Sequence, residues 1–185
     1  MWELKEFLDE SSISKIMEVI IMLISAKTLE SLNRYVQTLF AGNAKIDNLY
    51  YNLKYKGFNR LADAIHKPVA HVMGDWADEV TDMMDENGVR PVRLGLPDEV
   101  KEYSVSECFD ELVKYFDELY DATKVLIDAA DMADDIAVKI FLEGILEKKI
   151  LVFRKQAYEW KKGLEGLGDE HKFNIHIDDY THYIK

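Results

Sequence analysis

Apolar residues recur at intervals of three and four along most of the chain, the spacing of one face of an α-helix. Ile13, Ile16, Met17, Ile20, Ile21 and Ile24 predict a first helix from about Ser12 to Ser25. Leu32, Val36, Leu39, Ile46, Tyr50 and Leu53 predict a second, from about Leu29 to Lys54, ended by Gly57. A third pattern covers about Asn59 to Asn87 and stops at the Asn87-Gly88 pair, a good helix-ending signal. Pro68 lies inside it, so the helix either kinks there or breaks near His66 and restarts with Pro68 in a first turn. The fourth helix, about Val105 to Asp131, is the cleanest: Cys108, Phe109, Leu112, Phe116, Leu119, Leu126 and Ala130 lie on one stripe and the acids lie opposite. The fifth, about Asp134 to Leu164, is apolar around much of its circumference.

Between the third and fourth helices runs a segment of another character, Val89 to Tyr103, with Arg90, Pro91, Arg93, Gly95 and Pro97. Fully extended, its fifteen residues reach about 50 Å, whereas a hairpin between antiparallel helices needs only a handful. Such a length suits a crossover that carries the chain back along a four-helix bundle. The apolar circumference of the fifth helix calls for neighbours on several sides, and this predicts a homo-oligomer. The organisation is one domain over 1–185: an N-terminal helical extension (1–27), a bundle (28–164) and a polar, aromatic tail (165–185) that is expected to be mobile.

Composition sharpens this picture. With 48% hydrophobic residues the chain can build a core, and three prolines and nine glycines leave room for long helices. A net charge of −12 repels phosphate backbones and anionic lipid, so direct DNA binding is not expected, whereas cations are attracted. The single cysteine, Cys108, excludes an intrachain disulfide and reads as a packed core thiol. No apolar run approaches the roughly 20 residues of a membrane span, and the first residues have no basic start, so a cytoplasmic protein is expected.

At 100° per residue, His71, Asp75, Asp78 and Asp82 share the outward side of the third helix, at spacings of four, three and four. Three carboxylates and an imidazole suit a divalent metal, although an acidic solvated face has the same pattern. Glu143 and Glu147 project with Ile136 and Ile140 and are expected to face a partner subunit or to pair with Lys139, Lys148 or Arg154. The fourth helix has no inward carboxylate and the chain no Glu-x-x-His, which argues against an internal di-iron site. The tail histidines His171, His176 and His182 are a weaker metal candidate, and neither a phosphate loop nor a Gly-x-Ser-x-Gly elbow occurs.

Tyr50-Tyr51-Asn52-Leu53-Lys54-Tyr55-Lys56-Gly57-Phe58 resembles the end of the first bundle helix of Dps-type miniferritins, His-Trp-Asn-Val-Lys-Gly-x-x-Phe, with Asn52, Lys54 and Phe58 in register. Asp78-x-x-x-Asp82 followed by Gly88 looks like that family's Asp-x-x-x-Glu with its closing glycine. The resemblance spans about 28–164 and implies an all-α, ferritin-like four-helix bundle with one long crossover and an extra N-terminal helix. It further implies a hollow homo-oligomer, a dodecamer in that family, that binds, oxidises and stores ferrous iron and protects against oxidative stress. The family's outward-facing ligands map onto Asp78 and Asp82, while its first histidine falls on Tyr50. Its next His and Asp fall on Asp63 and Lys67 counting back from Asp78, or on Ala62 and His66 counting forward from Phe58. The alternative is a ferritin-like bundle without metal, serving as a structural or interaction protein.

Overall fold

A computed structural model describes residues 24–96 and 101–184. The first expected helix therefore lies outside the described residues, apart from Ile24 and Ser25. Helix α1 (Ala26–Tyr55) starts at Ser25, whose hydroxyl accepts the Thr28 N–H at 3.2 Å. It ends where Gly57 turns to φ +86°, letting the Phe58 N–H reach back to the Leu53 carbonyl at 2.9 Å.

The second bundle helix is continuous but not uniform. Helix α2 (Asn59–Ile65) passes into a π-helical turn (His66–His71) and then into α3 (Val72–Glu86). Pro68 neither breaks nor restarts the helix, because the wider turn absorbs the residue that cannot donate a backbone hydrogen bond. From α1, the Asn43 side chain donates to the Ala70 carbonyl at 2.8 Å and satisfies one acceptor of that turn.

The expected crossover is present. Val92 N–H donates to Asn33 Oδ1 at 2.7 Å, the Arg93 guanidinium lies 4.1 Å from the Phe40 ring centre, and Tyr103 N–H donates to Asn52 Oδ1 at 3.0 Å. Its described ends thus lie beside α1 at Asn33 and Asn52, about 28 Å apart along the helix. Helix α4 (Val105–Met132) opens with a capping box: Ser104 Oγ accepts the Glu107 N–H, and Glu107 Oε2 accepts the Ser104 N–H at 2.8 Å. These bonds hold the Glu107 carboxyl below the usual carboxylate range.

The last bundle helix is α5 (Ile136–Ile145), a second π turn (Leu146–Ile150) and α6 (Leu151–Leu167). Its apolar circumference is only partly covered in one chain: Val138, Leu142, Ile145 and Ile150 are buried, while Ile136 and Ile140 are exposed. Glu143 and Glu147 are exposed on the same helix. Two of their expected partners bond elsewhere: Lys139 to Asp131 at 2.7 Å and Arg154 to Asp117 at 2.6 Å.

The tail corrects an expectation. It forms α7 (Glu170–His176) and a 3-10 turn (Ile177–Tyr180), with Phe173, Ile177 and Ile184 buried. Buried Gln156 anchors it, accepting the His182 and Tyr183 N–H groups at 2.8 and 2.9 Å and donating to the Tyr180 carbonyl at 2.7 Å. Polar composition points to mobility there, but Phe173 and Ile177, at helical spacing, bury against the bundle.

Among the described residues no helix is long and apolar enough to cross a membrane.

Candidate metal centre

Among the described residues, the bundle interior holds no cluster of carboxylates. Apart from tyrosines and Cys108, the buried polar residues among those described are Thr28, Thr123, Asp135 and Gln156. Asp135 sits at the bundle end, accepting the Ser25 N–H at 3.1 Å. Mid-bundle, Tyr35 bonds Thr123 at 2.9 Å, burial pushing its phenol up to about 12, and the Tyr115 hydroxyl points at Met73 Sδ, 3.3 Å away. Cys108 is a buried thiol pushed up to about 12 by desolvation, as a core residue should be. An internal di-metal centre of the kind built from glutamates does not fit this donor set.

Metal-ligand chemistry gathers instead on the outer side of α1 and the first π turn. Asp47, on α1, meets His66 and His71 there. His66 Nε2 lies 3.6 Å from Asp47 Oδ1 and 3.2 Å from His71 Nε2, and the three donor atoms lie within 4.8 Å of one another. Two donors on one ion at ordinary metal–ligand lengths stand about 3.0–3.4 Å apart, so two of the three separations need little adjustment. Asp47 and His66 are each one-quarter exposed, and His71 is open to solvent.

The π turn creates this meeting. In a regular α-helix, residues five apart point about 140° away from each other. A π turn bonds residue i to residue i+5, which sets His66 and His71 one above the other. The Tyr50 ring, one turn beyond Asp47 on α1, lies flat on the His66 ring, with centres 4.0 Å apart and planes 10° apart. It fixes the imidazole plane.

Asp47 Oδ1 is the unusual atom. It is buried and has no hydrogen-bond partner. A buried carboxylate oxygen left without a hydrogen bond costs stability, and a cation shared with the neighbouring imidazole nitrogens would offset that cost.

Of the residues expected from sequence, the structure brings His66 and His71 together. Asp63 is drawn away to Lys54, 3.0 Å distant. Asp75, Asp78 and Asp82 are exposed along α3 and join no three-residue cluster among the described residues. Asp47 was missed; its one signal is a carboxylate next to Ile46 and three residues before Tyr50, on the flank of an apolar stripe.

No family model and no curated protein matches the sequence. The fold is nevertheless shared with solved structures. An open-pore ferritin from the hyperthermophilic archaeon Archaeoglobus fulgidus superimposes with a TM-score of 0.80 at 16% identity, covering 85% of this chain and 96% of that one. An engineered closed form of the same ferritin gives 0.79 at 16% identity, over 84% and 94%. A humanized archaeal ferritin gives 0.78 at 16% identity, over 84% and 94%. The chain is a ferritin-like four-helix bundle.

Proposed function

We propose that this chain is a self-associating ferritin-like subunit that binds ferrous iron, as cargo or substrate, through Asp47, His66 and His71 on the outside of its bundle. The observation that carries the reading is the buried Asp47 Oδ1, without a hydrogen bond, 3.6 Å from His66 Nε2, which in turn lies 3.2 Å from His71 Nε2, all three donors within 4.8 Å of one another. Two imidazoles and one carboxylate suit iron(II) and neighbouring transition metals better than magnesium or calcium, which favour all-oxygen sites. Three protein ligands leave positions open on the exposed His71 side, where oxidant or a further ion has access. Asp75, Asp78 and Asp82 continue from His71 along the outer edge of α3 and give incoming cations a negative approach.

The Dps-like form of this reading adds oxidation of the bound iron and its storage in a hollow oligomer. The self-association rests on the solved ferritins of the same fold and on the exposed Ile136 and Ile140 of α5.

Anaerobic titration with ferrous iron, paired with sizing of the same sample, is the test. Saturable binding by an oligomer, abolished in His66→Ala and His71→Ala, supports the proposal. Binding that survives both substitutions would reject the site. An oligomer that takes up no iron would favour the metal-free structural protein.

A further inference from the structure

The last bundle helix carries an exposed row that the metal site does not use. Ile140, Glu143, Glu147, Leu151, Lys155 and Tyr158 are all exposed, at spacings of three, four, four, four and three. In a regular α-helix the three steps of four from Glu143 to Lys155 would carry the row about 120° around the axis. The π turn over Leu146–Ile150 takes up an extra residue there, which removes much of that drift and keeps the row on one side. Its apolar members stand well out of the bundle: Ile140 is 62% exposed, Leu151 40% and Tyr158 43%. Among the described residues neither glutamate is in a salt bridge, since Lys139 and Arg154 are taken by Asp131 and Asp117. The Lys155 ammonium rests 4.2 Å from the centre of the exposed Tyr183 ring.

We propose that this row packs antiparallel against the same row of a second copy of the chain, across a twofold axis that passes between Glu147 and Leu151. The spacing of the row is the same from either end, so reversal sets each member opposite another. Ile140 then faces Tyr158 of the second copy, Glu143 faces Lys155, and Glu147 faces Leu151 with Lys155 one turn away. Every contact occurs twice, as a twofold interface requires.

Charge complementarity chooses both the occupant and the register. The acids lie in the first half of the row and the base in the second, so only a reversed copy brings opposite signs together. Parallel pairing sets each glutamate beside its own counterpart. An antiparallel shift of one turn in one direction sets Glu147 against itself, and a shift in the other takes Ile140 off Tyr158. The inference rests on the self-association proposed above and supplies a surface for it. It shares no residue with the Asp47, His66 and His71 cluster.

Sedimentation analysis of the full-length parent, of Glu143→Lys, of Lys155→Glu and of an equimolar mixture of the two variants tests it. Both side chains are exposed, so the substitutions leave the bundle folded. Each variant alone sets like charges opposite each other twice and is expected to associate at least about tenfold more weakly than the parent. The mixture restores both opposite-charge pairs and is expected to recover the parent's association through one-to-one heterodimers. Within one chain the two residues stand about 18 Å apart along the helix, so no intrachain pair could produce that rescue. Association equal to the parent's in both variants overturns this surface and leaves the self-association standing. Weakened variants that do not recover on mixing show that something other than a second copy covers the row, and overturn it as well. A parent that is monomeric overturns the surface and the self-association together.

Discussion

His66 and His71 present their Nε2 atoms 3.2 Å apart across a single π turn. One ring must donate and the other accept, because two protonated nitrogens would repel. On the proposed reading, a bound cation would take the place of that shared proton, with both rings as ligands. Either His66→Ala or His71→Ala should weaken metal binding by more than about tenfold, the loss that even outer-shell partners of metal ligands produce. Calorimetric titration with Co²⁺ or Zn²⁺ reads this directly, and an affinity unchanged in both variants would remove the pair from the site.

Asp47 predicts an opposite movement of stability and binding. In the metal-free protein, Asp47→Asn replaces a buried carboxylate oxygen that makes no hydrogen bond with a neutral amide, so thermal stability should hold or rise by about 1 kcal/mol. Metal-dependent stabilisation should vanish in the same variant. A variant that loses stability without metal and keeps its metal response would show that Asp47 is merely structural.

Gly42 sits against the buried Tyr115 ring, and a β-carbon there would lie 2.0 Å from its hydroxyl oxygen and 2.1 Å from Cζ. Gly42→Ala is therefore expected to destabilise the bundle by about 1–3 kcal/mol despite alanine's better helix propensity. Chemical denaturation measures it. A stabilised alanine variant would mean that α1 and α4 pack further apart than described.

Lys45 on α1 pairs with Glu111 on α4, and that hydrogen bond lowers the Glu111 carboxyl from its ordinary 4.5. A depressed carboxylate contributes stability that is complete above its unfolded value and is lost as pH falls through the folded one. The parent should exceed Glu111→Gln by up to about 1 kcal/mol at neutral pH, with the difference closing below pH 4.5. Thermal melts across that range check the sign; a difference that widens in acid would contradict it.

The bundle was legible because each helix buries one stripe. Val105 to Met132 reads from sequence to within a residue, since its apolar positions never drift and Ser104 with Glu107 marks its start. The crossover was legible from length and from Pro91 and Gly95. Of the candidate site, only the two histidines were named from the sequence. His66 and His71 are five residues apart, a spacing that α-helical geometry separates, so their meeting depends on the π turn at Pro68. Asp47 joins them only through the packing of α1 against that turn, which no local pattern encodes. The tail failed for another reason: its few apolar residues, Phe173 and Ile177, bury fully against a bundle already in place.

The central claim is that one metal ion is held between α1 and the π turn. The most direct measurement is the stoichiometry of ferrous iron bound anaerobically per chain, in the parent and in Asp47→Asn. The account predicts one tightly held ion per chain in the parent and none in the variant; equal uptake by the two proteins would contradict it.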